Sequence, residues 1–313
     1  MIGQAPLMVA LAMLIALLID AALGEPPAAL HPVVWMGRFL NRWGRGLPDR
    51  TAARAFFGGA TAWIAGAALF ACGAWAVSRG VMWVVGELSP WPRLGVTALA
   101  CGVLLKPLLA WRLLRTEVLA VESALGESLE AGRARVAHLA SRDTRGLTAS
   151  QVRETAIESL AENLNDSVIA PLFWFAVAGL GGAALYRFAN TADAMWGYRG
   201  RWEWAGKWAA RADDVLSWIP ARLTAVALLP PRHWLALRQE ARRTTSPNGG
   251  WPMGAMALRL GVQLGKPGVY SLNPHGRPAA VSDSARAARV ATAAIALLLL
   301  PLMALAWLAG LLR

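Results

Sequence analysis

The chain has 313 residues, of which 31 are Lys or Arg and 19 are Asp or Glu, so its formal net charge is +12. Hydrophobic residues make up 56% of the chain and charged residues 16%, whereas a soluble domain carries roughly 25% charged residues. These values exclude a disordered basic tail and an ordinary nucleic-acid-binding domain, because neither combines positive charge with such an apolar excess. They indicate an integral membrane protein whose basic residues lie between its spans.

Four segments approach the roughly 20 apolar residues that a bilayer core requires. They are residues 6–23, 55–77, 94–111 and 290–312. The first segment is predicted to be a retained span rather than a signal peptide, because no Lys or Arg precedes it. Gly59 and Gly66 in the second segment would let helices pack closely. Cys72 and Cys101 lie inside apolar sequence, and we expect both to be buried as small hydrophobic side chains.

Two weaker apolar segments complicate the number of spans. Residues 167–189 are interrupted by glycines around Gly179, and residues 214–230 are shorter and contain Arg222. Either both segments cross the membrane, or both enter it and return as re-entrant hairpins. The predicted fold is therefore an all-α integral membrane protein with about four full transmembrane helices, these two further segments, and long cytoplasmic loops.

The distribution of basic residues predicts the orientation. Residues 24–54 contain five Arg, and residues 231–289 contain eight Arg and Lys266, whereas residues 78–93 contain only Arg79 and Arg93. The positive-inside rule places the first two regions in the cytoplasm and the third outside, with both termini outside. Basic residues between the two weaker segments favour the re-entrant alternative. Because the polar residues lie in long loops rather than in the spans, we predict a single membrane-embedded catalytic domain over residues 1–313, not a channel.

A run of acidic residues precedes the apolar segment 167–189. Its members are Glu154, Glu158, Glu162 and Asp166. The first three are spaced four apart, which places them on one face of a helix, and Asn165 or Asp166 is expected to extend the stripe by a turn. Carboxylates gathered in this way suit Mg²⁺, which takes one or two carboxylates and shares its other positions with phosphates. The alternative is a solvated helix face that Arg142 or Arg153 neutralises.

Polar groups also follow the apolar segment 167–189. Arg187, Asn190 and Asp193 lie about one helical turn apart, and Tyr198 comes shortly after them. Ionisable side chains at membrane depth are costly, so they are candidates for function. Near the amino end, Glu25, His31 and Arg38 stand together where the first span ends. For this group a structural role and a substrate-facing role are equally compatible with the sequence.

A turn near the carboxyl end is a candidate anion site. Ser246, Asn248 and Gly249 belong to a run of small residues that opens a helix, where backbone N–H groups can bind an anion. Further on, Lys266 follows glycines that look briefly like a phosphate loop. The glycines are separated by three residues rather than four, and Pro267 occupies the Ser/Thr position, which excludes that motif. Lys266 can still contact a phosphate as a point charge.

Together these strings resemble the adenosylcobinamide-phosphate synthase (CbiB/CobD) family of cobalamin biosynthesis. The matching motifs run in order over nearly the whole chain and are long and specific. They are Asp20-x3-Gly24-Glu25-Pro26, His31-Pro32-x3-Met36-Gly37, Ser141-Arg142-Asp143-Thr144, Glu158-Ser-x2-Glu162-Asn163-x2-Asp166, Tyr186-Arg187-x2-Asn190-Thr191-x-Asp193, Ala212-Asp213-Asp214-x3-Trp218-Ile219-Pro220-Ala221-Arg222 and Ser246-Pro247-Asn248-x-Gly250-Trp251-Pro252. Gly249 is a departure, since other members often have Ser there.

The resemblance implies an ATP- and Mg²⁺-dependent amide ligase of the bacterial inner membrane, with its active site facing the cytoplasm. The ligase would join the propionate carboxylate of adenosylcobyric acid to (R)-1-amino-2-propanol or its O-phosphate, giving adenosylcobinamide or its phosphate. Its partners would be this corrinoid, the amine and membrane lipid, with no nucleic acid and no oligomeric state specified. Catalysis of this kind needs charge neutralisation more than covalent help from the protein.

The candidate residues fit this chemistry. Catalytic roles are predicted for Glu25, His31, Glu158 and Glu162, with Glu25 or His31 as the general base for the amine on the ground of position alone. The predicted metal ligands are Glu158, Glu162, Asp166 and Asp193. The predicted substrate and phosphate contacts are Arg38, Arg142, Arg187, Asn190, Tyr198, Ser246, Asn248, Gly249 and Lys266.

One alternative function belongs to a different class. A non-enzymatic membrane sensor or transporter of the AmpE type, which is distantly similar, could use the same scaffold. The density of acids and amides predicted at the cytoplasmic face favours the ligase, because a sensor has no reason to gather them there.

Overall fold

A computed structural model of the chain describes residues 4–140 and 142–311. It confirms the all-α fold class, and the chain divides into two compact units. Unit 1 comprises Met1–Ala110, Ala170–Leu216 and Leu299–Arg313, and unit 2 comprises Trp111–Ile169 and Ser217–Leu298. Ser141 of the predicted motif and Leu312, the predicted end of the last span, lie outside the described residues. The single catalytic domain over the whole chain stays a prediction.

The secondary structure of the described residues is almost entirely helical. Its α-helices are α1 (Gln4–Leu23), α2 (Pro32–Gly44), α3 (Ala52–Val84), α4 (Pro90–Leu105), α5 (Trp111–Glu127), α6 (Leu129–Val136), α7 (Ala149–Leu164), α8 (Ala170–Trp196), α9 (Lys207–Leu216), α10 (Trp218–Leu228), α11 (Trp234–Ala241), α12 (Gly250–Leu260) and α13 (Asp283–Leu311). Short 3₁₀ helices cover Ala28–Leu30, Lys106–Leu108 and Pro231–His233, and a π-helix covers Asn165–Ile169. The strands β1 (Leu264–Lys266) and β2 (Tyr270–Leu272) form an antiparallel hairpin.

Five helical ranges of the described residues are long and apolar enough to cross a membrane. They are Pro6–Leu23, Ala52–Val84, Pro90–Glu127, Ala149–Trp196 and Asp283–Gly310. Four of these ranges overlap the four predicted spans, although α4 ends at Leu105, before the predicted end of the third span at residue 111. The remaining one, Ala149–Trp196, contains the weaker segment 167–189 together with the acidic run before it.

The segment 167–189 is not one straight rod. The backbone leaves helical geometry at Ala178 and at Gly179, whose φ is +63°. A Cβ atom on Gly182 would overlap the carbonyl oxygen of Trp174, although residues eight apart on a continuous helix are separated by about 12 Å along the axis. The chain therefore turns back sharply at the predicted glycine break, which a residue other than glycine at position 179 would strain.

The second weak segment, 214–230, is also broken. Helix α9 ends at Leu216, where Trp174 Nε1 donates a hydrogen bond of 3.0 Å to the Leu216 carbonyl, and α10 begins at Trp218. Helix α10 has 11 residues, a length of about 17 Å, against a hydrocarbon core of about 30 Å. By itself α10 is too short to cross a bilayer.

In unit 1, α1 packs against α4, and α3 packs against α8 and α9. Glycines permit these close contacts as predicted: a Cβ on Gly59 would overlap the Ala205 carbonyl, and one on Gly66 would overlap the Phe188 ring. Cys101 is buried as predicted, but the prediction for Cys72 was wrong, because Cys72 is exposed on α3. Only part of the surface of this 33-residue helix is covered by its neighbours.

The predicted long loops proved to be largely helical, and two of them build most of unit 2. Residues 112–166 form α5, α6 and α7, and residues 231–289 contribute α11, α12 and the hairpin. Helix α7 lies at the centre, packed against α5, α6, α12 and β1. A capping box of Thr148 and Gln151 starts α7, and Arg153 on α7 forms a 2.7 Å ion pair with Glu122 on α5. Arg153 therefore neutralises the charge of Glu122 on α5 rather than that of the acidic run on its own helix.

Candidate active site

A polar cavity of about 260 Å³ opens beside α7 in unit 2. The charged and hydroxyl side chains in its wall are Arg142, Thr155, Glu158, Ser159, Glu162, Thr245, Lys266 and Tyr270. Four of these residues, Arg142, Glu158, Glu162 and Lys266, are predicted site residues. The cavity therefore brings part of the acidic run together with two of the predicted phosphate-binding cations.

Glu158 is held from both sides in this cavity. Its Oε2 atom lies 3.3 Å from Arg142 Nη2, and its Oε1 atom accepts a hydrogen bond from the Tyr270 hydroxyl. Arg142 Nη2 also donates to Thr155 Oγ1 at 2.6 Å. Glu158 is only 6% exposed, and a carboxylate buried to this extent needs such a partner. The sequence did not indicate Tyr270, which lies 112 residues away along the chain.

Two nearby arginines in the loop before α7 have different surroundings. Arg142 is turned inward, whereas Arg145 is exposed and binds Asp143 through its guanidinium, which lowers the pKa of the Asp143 carboxyl to about 2. Arg142 Nε is buried and makes no hydrogen bond within residues 4–140 and 142–311. A donor of this kind is available to an oxygen of a ligand.

The acidic run is not a solvated helix face. Glu154 and Glu158 are 7% and 6% exposed, so the solvent exposure in that alternative was wrong for these two residues, whereas neutralisation by Arg142 is confirmed at Glu158. Helix α7 ends at Leu164 and the π-helix Asn165–Ile169 follows it, and the extension of the stripe by Asn165 or Asp166 stays a prediction. The wider turn of a π-helix interrupts the α-helical spacing on which that prediction depended, and such turns are frequent at functional sites.

Glu162 lies against the turn at residues 246–250. Its Oε1 atom is 3.1 Å from the position that a Cβ on Gly249 would occupy. The backbone N–H groups of Asn248 and Gly249 both donate to Ser246 Oγ, at 3.2 and 3.0 Å. In the structure these two groups are therefore engaged within the turn, and the anion site at this turn stays a prediction. Asn248 is buried, and its Oδ1 atom accepts a 2.9 Å hydrogen bond from Arg222.

Lys266 reaches the cavity from the hairpin. It lies in β1 directly across from Tyr270 in β2, and Gly268, with a φ of +74°, forms the turn between the strands. This strand geometry agrees with the exclusion of a phosphate loop. Lys266 forms no ion pair with any described residue.

A second group of charges lies in unit 1. Lys106 Nζ is 3.3 Å from Asp20 and 3.1 Å from Glu25, and His31 Nε2 is 3.0 Å from Glu25. Burial opposes ionisation of Glu25, but hydrogen bonds and charges from His31 and Lys106 outweigh it and hold the pKa below its ordinary value. Sequence reasoning missed Lys106, although a lone cation within the apolar segment 94–111 was a usable signal.

His31 has a structural role in this group. Its Nδ1 atom accepts a 3.3 Å hydrogen bond from the Val33 N–H and caps α2, while Nε2 faces Glu25. Both ring nitrogens are therefore engaged within the protein. Arg38 lies further along α2, about two turns after His31.

The remaining predicted residues of unit 1 follow the bend at Gly179. Arg187 is buried on α8 and donates to Asn190 Oδ1 at 3.4 Å, and Asn190 Nδ2 donates to Asp213 Oδ1 at 3.5 Å. Asp193 lies so close to Gly197 that a Cβ there would overlap its carboxylate. Tyr198 is exposed. The structure thus groups Arg187 with Asn190, as the helical spacing predicted.

The predicted site residues divide between the two units. Those in unit 1 are Glu25, His31, Arg38, Arg187, Asn190, Asp193 and Tyr198. Those in unit 2 are Arg142, Glu158, Glu162, Asp166, Ser246, Asn248, Gly249 and Lys266. Among the described residues, no three His, Cys, Asp or Glu side chains form a group that could hold a metal ion by themselves. A Mg²⁺ site that relies on one or two carboxylates and on substrate phosphates needs no such group.

Comparison with known proteins identifies relatives over most of the chain. The family described as CobD/Cbib protein matches residues 13–300. A cobalamin biosynthesis protein CobD from Stutzerimonas stutzeri is 42% identical over 280 residues, which cover 88% of both chains. The probable cobalamin biosynthesis protein CobD of Methanothermobacter thermautotrophicus is 38% identical over 270 residues, 83% of this chain and 85% of the relative.

A third relative comes from Thermococcus kodakarensis and is also named probable cobalamin biosynthesis protein CobD. It is 39% identical over 284 residues, 88% of this chain and 89% of the relative. No solved structure matches the chain. The matched family and these identities over most of each chain show that the protein belongs to the CobD/CbiB family of cobalamin biosynthesis proteins.

Proposed function

We propose that this protein is an ATP- and Mg²⁺-dependent amide ligase. It joins the propionate carboxylate of adenosylcobyric acid to (R)-1-amino-2-propanol or to the O-phosphate of that amine. Membership of a cobalamin biosynthesis family supports the corrinoid substrate. The observation that carries the proposal is the unit 2 cavity, where Arg142 and Lys266 lie with Glu158 and Glu162.

The chemistry requires two transfers in sequence. A carboxylate oxygen of the corrinoid attacks the γ-phosphorus of ATP, which forms an acyl phosphate and releases ADP. The amine nitrogen then attacks the acyl carbon, phosphate leaves with the C–O bond electrons, and the nitrogen loses a proton. Negative charge is redistributed over phosphoryl oxygens in both steps, and fixed cations lower the barrier when they are already in place.

Two side chains of the cavity suit that task. Arg142 is fixed by Glu158 and Thr155, so its guanidinium needs little reorganisation when a phosphate binds. Its buried Nε atom has no acceptor among the described residues. Lys266 forms no ion pair in the same part of the chain and acts on Glu158 only through a longer-range charge interaction, so its ammonium can also contact an anionic oxygen.

The carboxylates of the cavity fit a Mg²⁺ ion that arrives with ATP. Glu158, and Glu162, which is half-buried beside the 246–250 turn, both line the cavity and are the candidate ligands there. Mg²⁺ commonly uses one or two carboxylates and takes its remaining ligands from phosphates and water. When bound, the ion would neutralise charge on the phosphates. Asp166 and Asp193 remain further candidate ligands.

The cellular location follows from the reaction. The chain is a multi-pass membrane protein by its apolar helices, and ATP is supplied on the cytoplasmic side. We therefore propose that the unit 2 cavity faces the cytoplasm, as the positive-inside rule also predicts. In bacteria this membrane is the inner membrane.

The test uses purified full-length protein in detergent. Adenosylcobyric acid, Mg²⁺ and ATP are supplied with 1-amino-2-propanol or with its O-phosphate, and corrinoid products and ADP are measured by mass spectrometry and chromatography. We expect an amide product with one ADP per turnover, and no product when Mg²⁺ is chelated. If folded protein forms neither amide nor ADP with either amine, the ligase proposal is wrong and a sensor or transporter becomes the better explanation.

A further inference from the structure

A second cavity lies beside the hairpin in unit 2. It has a volume of about 380 Å³, near the lower end of the roughly 300–1,000 Å³ range of small-molecule sites. Its wall consists of Gln151 and Glu154 from α7, Gln263, and residues 265–271 of the hairpin. Lys266 and Tyr270 line both this cavity and the one that contains Arg142. The hairpin is therefore a wall that the two cavities share.

Glu154 is the acid of this second cavity. The residue is 7% exposed, and its Oε1 atom accepts a 2.9 Å hydrogen bond from Ser150. No Lys, Arg or His of the described ranges 4–140 and 142–311 forms an ion pair with it, whereas Glu158, one helical turn further on, is paired with Arg142. A buried carboxylate without a counter-charge is costly, and a cationic ligand would relieve that cost.

Lys266 supplies the opposite charge in the same wall. Its ammonium also forms no ion pair with the described residues, and its position opposite Tyr270 in the hairpin fixes it between the two cavities. Neutral donors and acceptors come from Gln151, Gln263 and Ser271, and Gln263 Nε2 donates to Ser271 Oγ at 3.1 Å. Within the described residues, the cavity thus offers one carboxylate and one ammonium that lack an ion-pair partner.

We infer that this second cavity binds the amine substrate, with the substrate's ammonium at Glu154 and an anionic group at Lys266. This inference rests on the proposed ligase function and deepens it. A primary amine that carries a phosphate ester has both charges, so the cavity favours the phosphorylated amino alcohol over the unphosphorylated one. A polyphosphate is disfavoured there, because Glu154 would repel it. The shared hairpin wall brings the amine next to the cavity in which the carboxylate is activated.

Direct binding tests the site without the reaction. Thermal shifts of the full-length protein in detergent, without ATP, are measured against 1-amino-2-propanol O-phosphate, 1-amino-2-propanol and inorganic phosphate. We expect the phosphate ester to bind most tightly. Glu154→Gln should raise its Kd roughly 10- to 100-fold, the loss expected for one charge-assisted hydrogen bond. Glu130→Gln is the matched control, because the side chain of Glu130 is 78% exposed on α6.

Kinetics provide a second measurement. In the ligation assay, Glu154→Gln should raise the KM for the phosphorylated amine and leave the KM for ATP within about twofold. Glu154→Asp keeps the charge but shortens the side chain, so it should fall between wild type and Glu154→Gln and remain informative if the Gln variant folds poorly.

Several outcomes would overturn the inference. One is ligation by Glu154→Gln with an amine KM no different from that of Glu130→Gln. Another is a phosphate-ester shift that inorganic phosphate reproduces and Glu154→Gln leaves unchanged, since that would show an anion site without amine recognition. If the wild type binds the phosphate ester through Glu154 but forms no amide, the ligase proposal fails while the amine site stands.

Discussion

The guanidinium of Arg142 lies 3.3 Å from the carboxylate of Glu158, on an α-helix that begins seven residues after the arginine. Both side chains are largely buried, with 14% and 8% of their surface exposed. The pair offsets the repulsion that a row of carboxylates on one helix face would otherwise cause. It also presents a fixed cation to a cavity that we propose binds phosphates.

Replacing Arg142 by Lys tests that fixed geometry. Lysine keeps the positive charge beside Glu158 but cannot also bond Thr155 and Gly265, as the guanidinium does. We expect the KM for ATP to rise about tenfold, which corresponds to roughly 1.4 kcal/mol of lost binding, with little change in the thermal midpoint. Arg145→Lys is the control, because 90% of its side chain is exposed. Equal KM values for the two variants would contradict a phosphate-binding role for Arg142.

The second prediction concerns Glu162. Glu162→Gln has nearly the same shape but removes the negative charge beside the 246–250 turn, so Mg²⁺ would lose a ligand. We expect Mg²⁺-dependent turnover to fall at least about 100-fold, the equivalent of some 2.7 kcal/mol in the barrier, with little loss of expression. The measurement is the rate of ligation as Mg²⁺ is varied, with Glu130→Gln for comparison. Turnover close to wild type would leave Glu162 with a structural role only.

The sharp bend in α8 predicts that alanine substitutions at two glycines, Gly182 and Gly80, affect stability differently. A Cβ on Gly182 would overlap the Trp174 carbonyl, a backbone atom that cannot rotate away, whereas a Cβ on Gly80 in α3 meets nothing within 4 Å. We expect Gly182→Ala to lower the free energy of unfolding by about 1–3 kcal/mol, the usual cost of overpacking. Gly80→Ala should leave it unchanged or raise it slightly. Thermal unfolding in detergent compares them, and equal midpoints would contradict the bend.

Ionisation of Glu25 is expected to make the stability of the folded protein depend on pH. Its pKa in the folded protein lies below its ordinary value of 4.5, because His31 and Lys106 outweigh the effect of burial. The ionised carboxylate therefore contributes stability above pH 4.5, and that contribution is lost as the pH falls from 4.5 through the lower folded-state pKa. Thermal midpoints measured from about pH 6 to about pH 3 should fall less steeply in Glu25→Gln than in wild type. Glu87→Gln, in the connection between α3 and α4, should follow the wild type.

The predicted orientation can be tested by labelling single cysteines in intact cells. The background replaces Cys72, which is exposed, and Cys101 by Ala. A cysteine at Glu87, in the connection between α3 and α4, should react with a membrane-impermeant maleimide. One at Pro247, next to Asn248, should react only after the membrane is opened. The reverse pattern would overturn the topology and would move the unit 2 cavity away from ATP.

Local composition was sufficient to predict much of the architecture. The four predicted spans overlap apolar helical ranges because a bilayer-length run of apolar residues is a property of each segment alone. The bend at Gly179 could also be predicted from local sequence, because a cluster of glycines interrupts a helix in any tertiary context. The grouping of Glu25 with His31 followed from six residues of separation. The family, too, was recognisable from motifs in chain order.

Spacing alone could not identify the partners of the site residues. No simple periodicity predicted the π-helix that follows Leu164 in the acidic run. Nor did the sequence show that Ser246 accepts hydrogen bonds from the N–H groups of Asn248 and Gly249. Each outcome depended on one local choice among several compatible hydrogen-bond partners, and packing makes that choice.

The sequence by itself determined the membrane class, the helical content, the family and the residue types available for chemistry, because these depend on composition and short-range order. Only the tertiary structure decided that Tyr270 and Arg142 hold Glu158, and that Lys106 joins Asp20 to Glu25. It also decided that Glu154 is buried without an ion-pair partner among the described residues. Contacts of this kind join residues distant along the chain, so they arise from the packing of helices that no local pattern encodes.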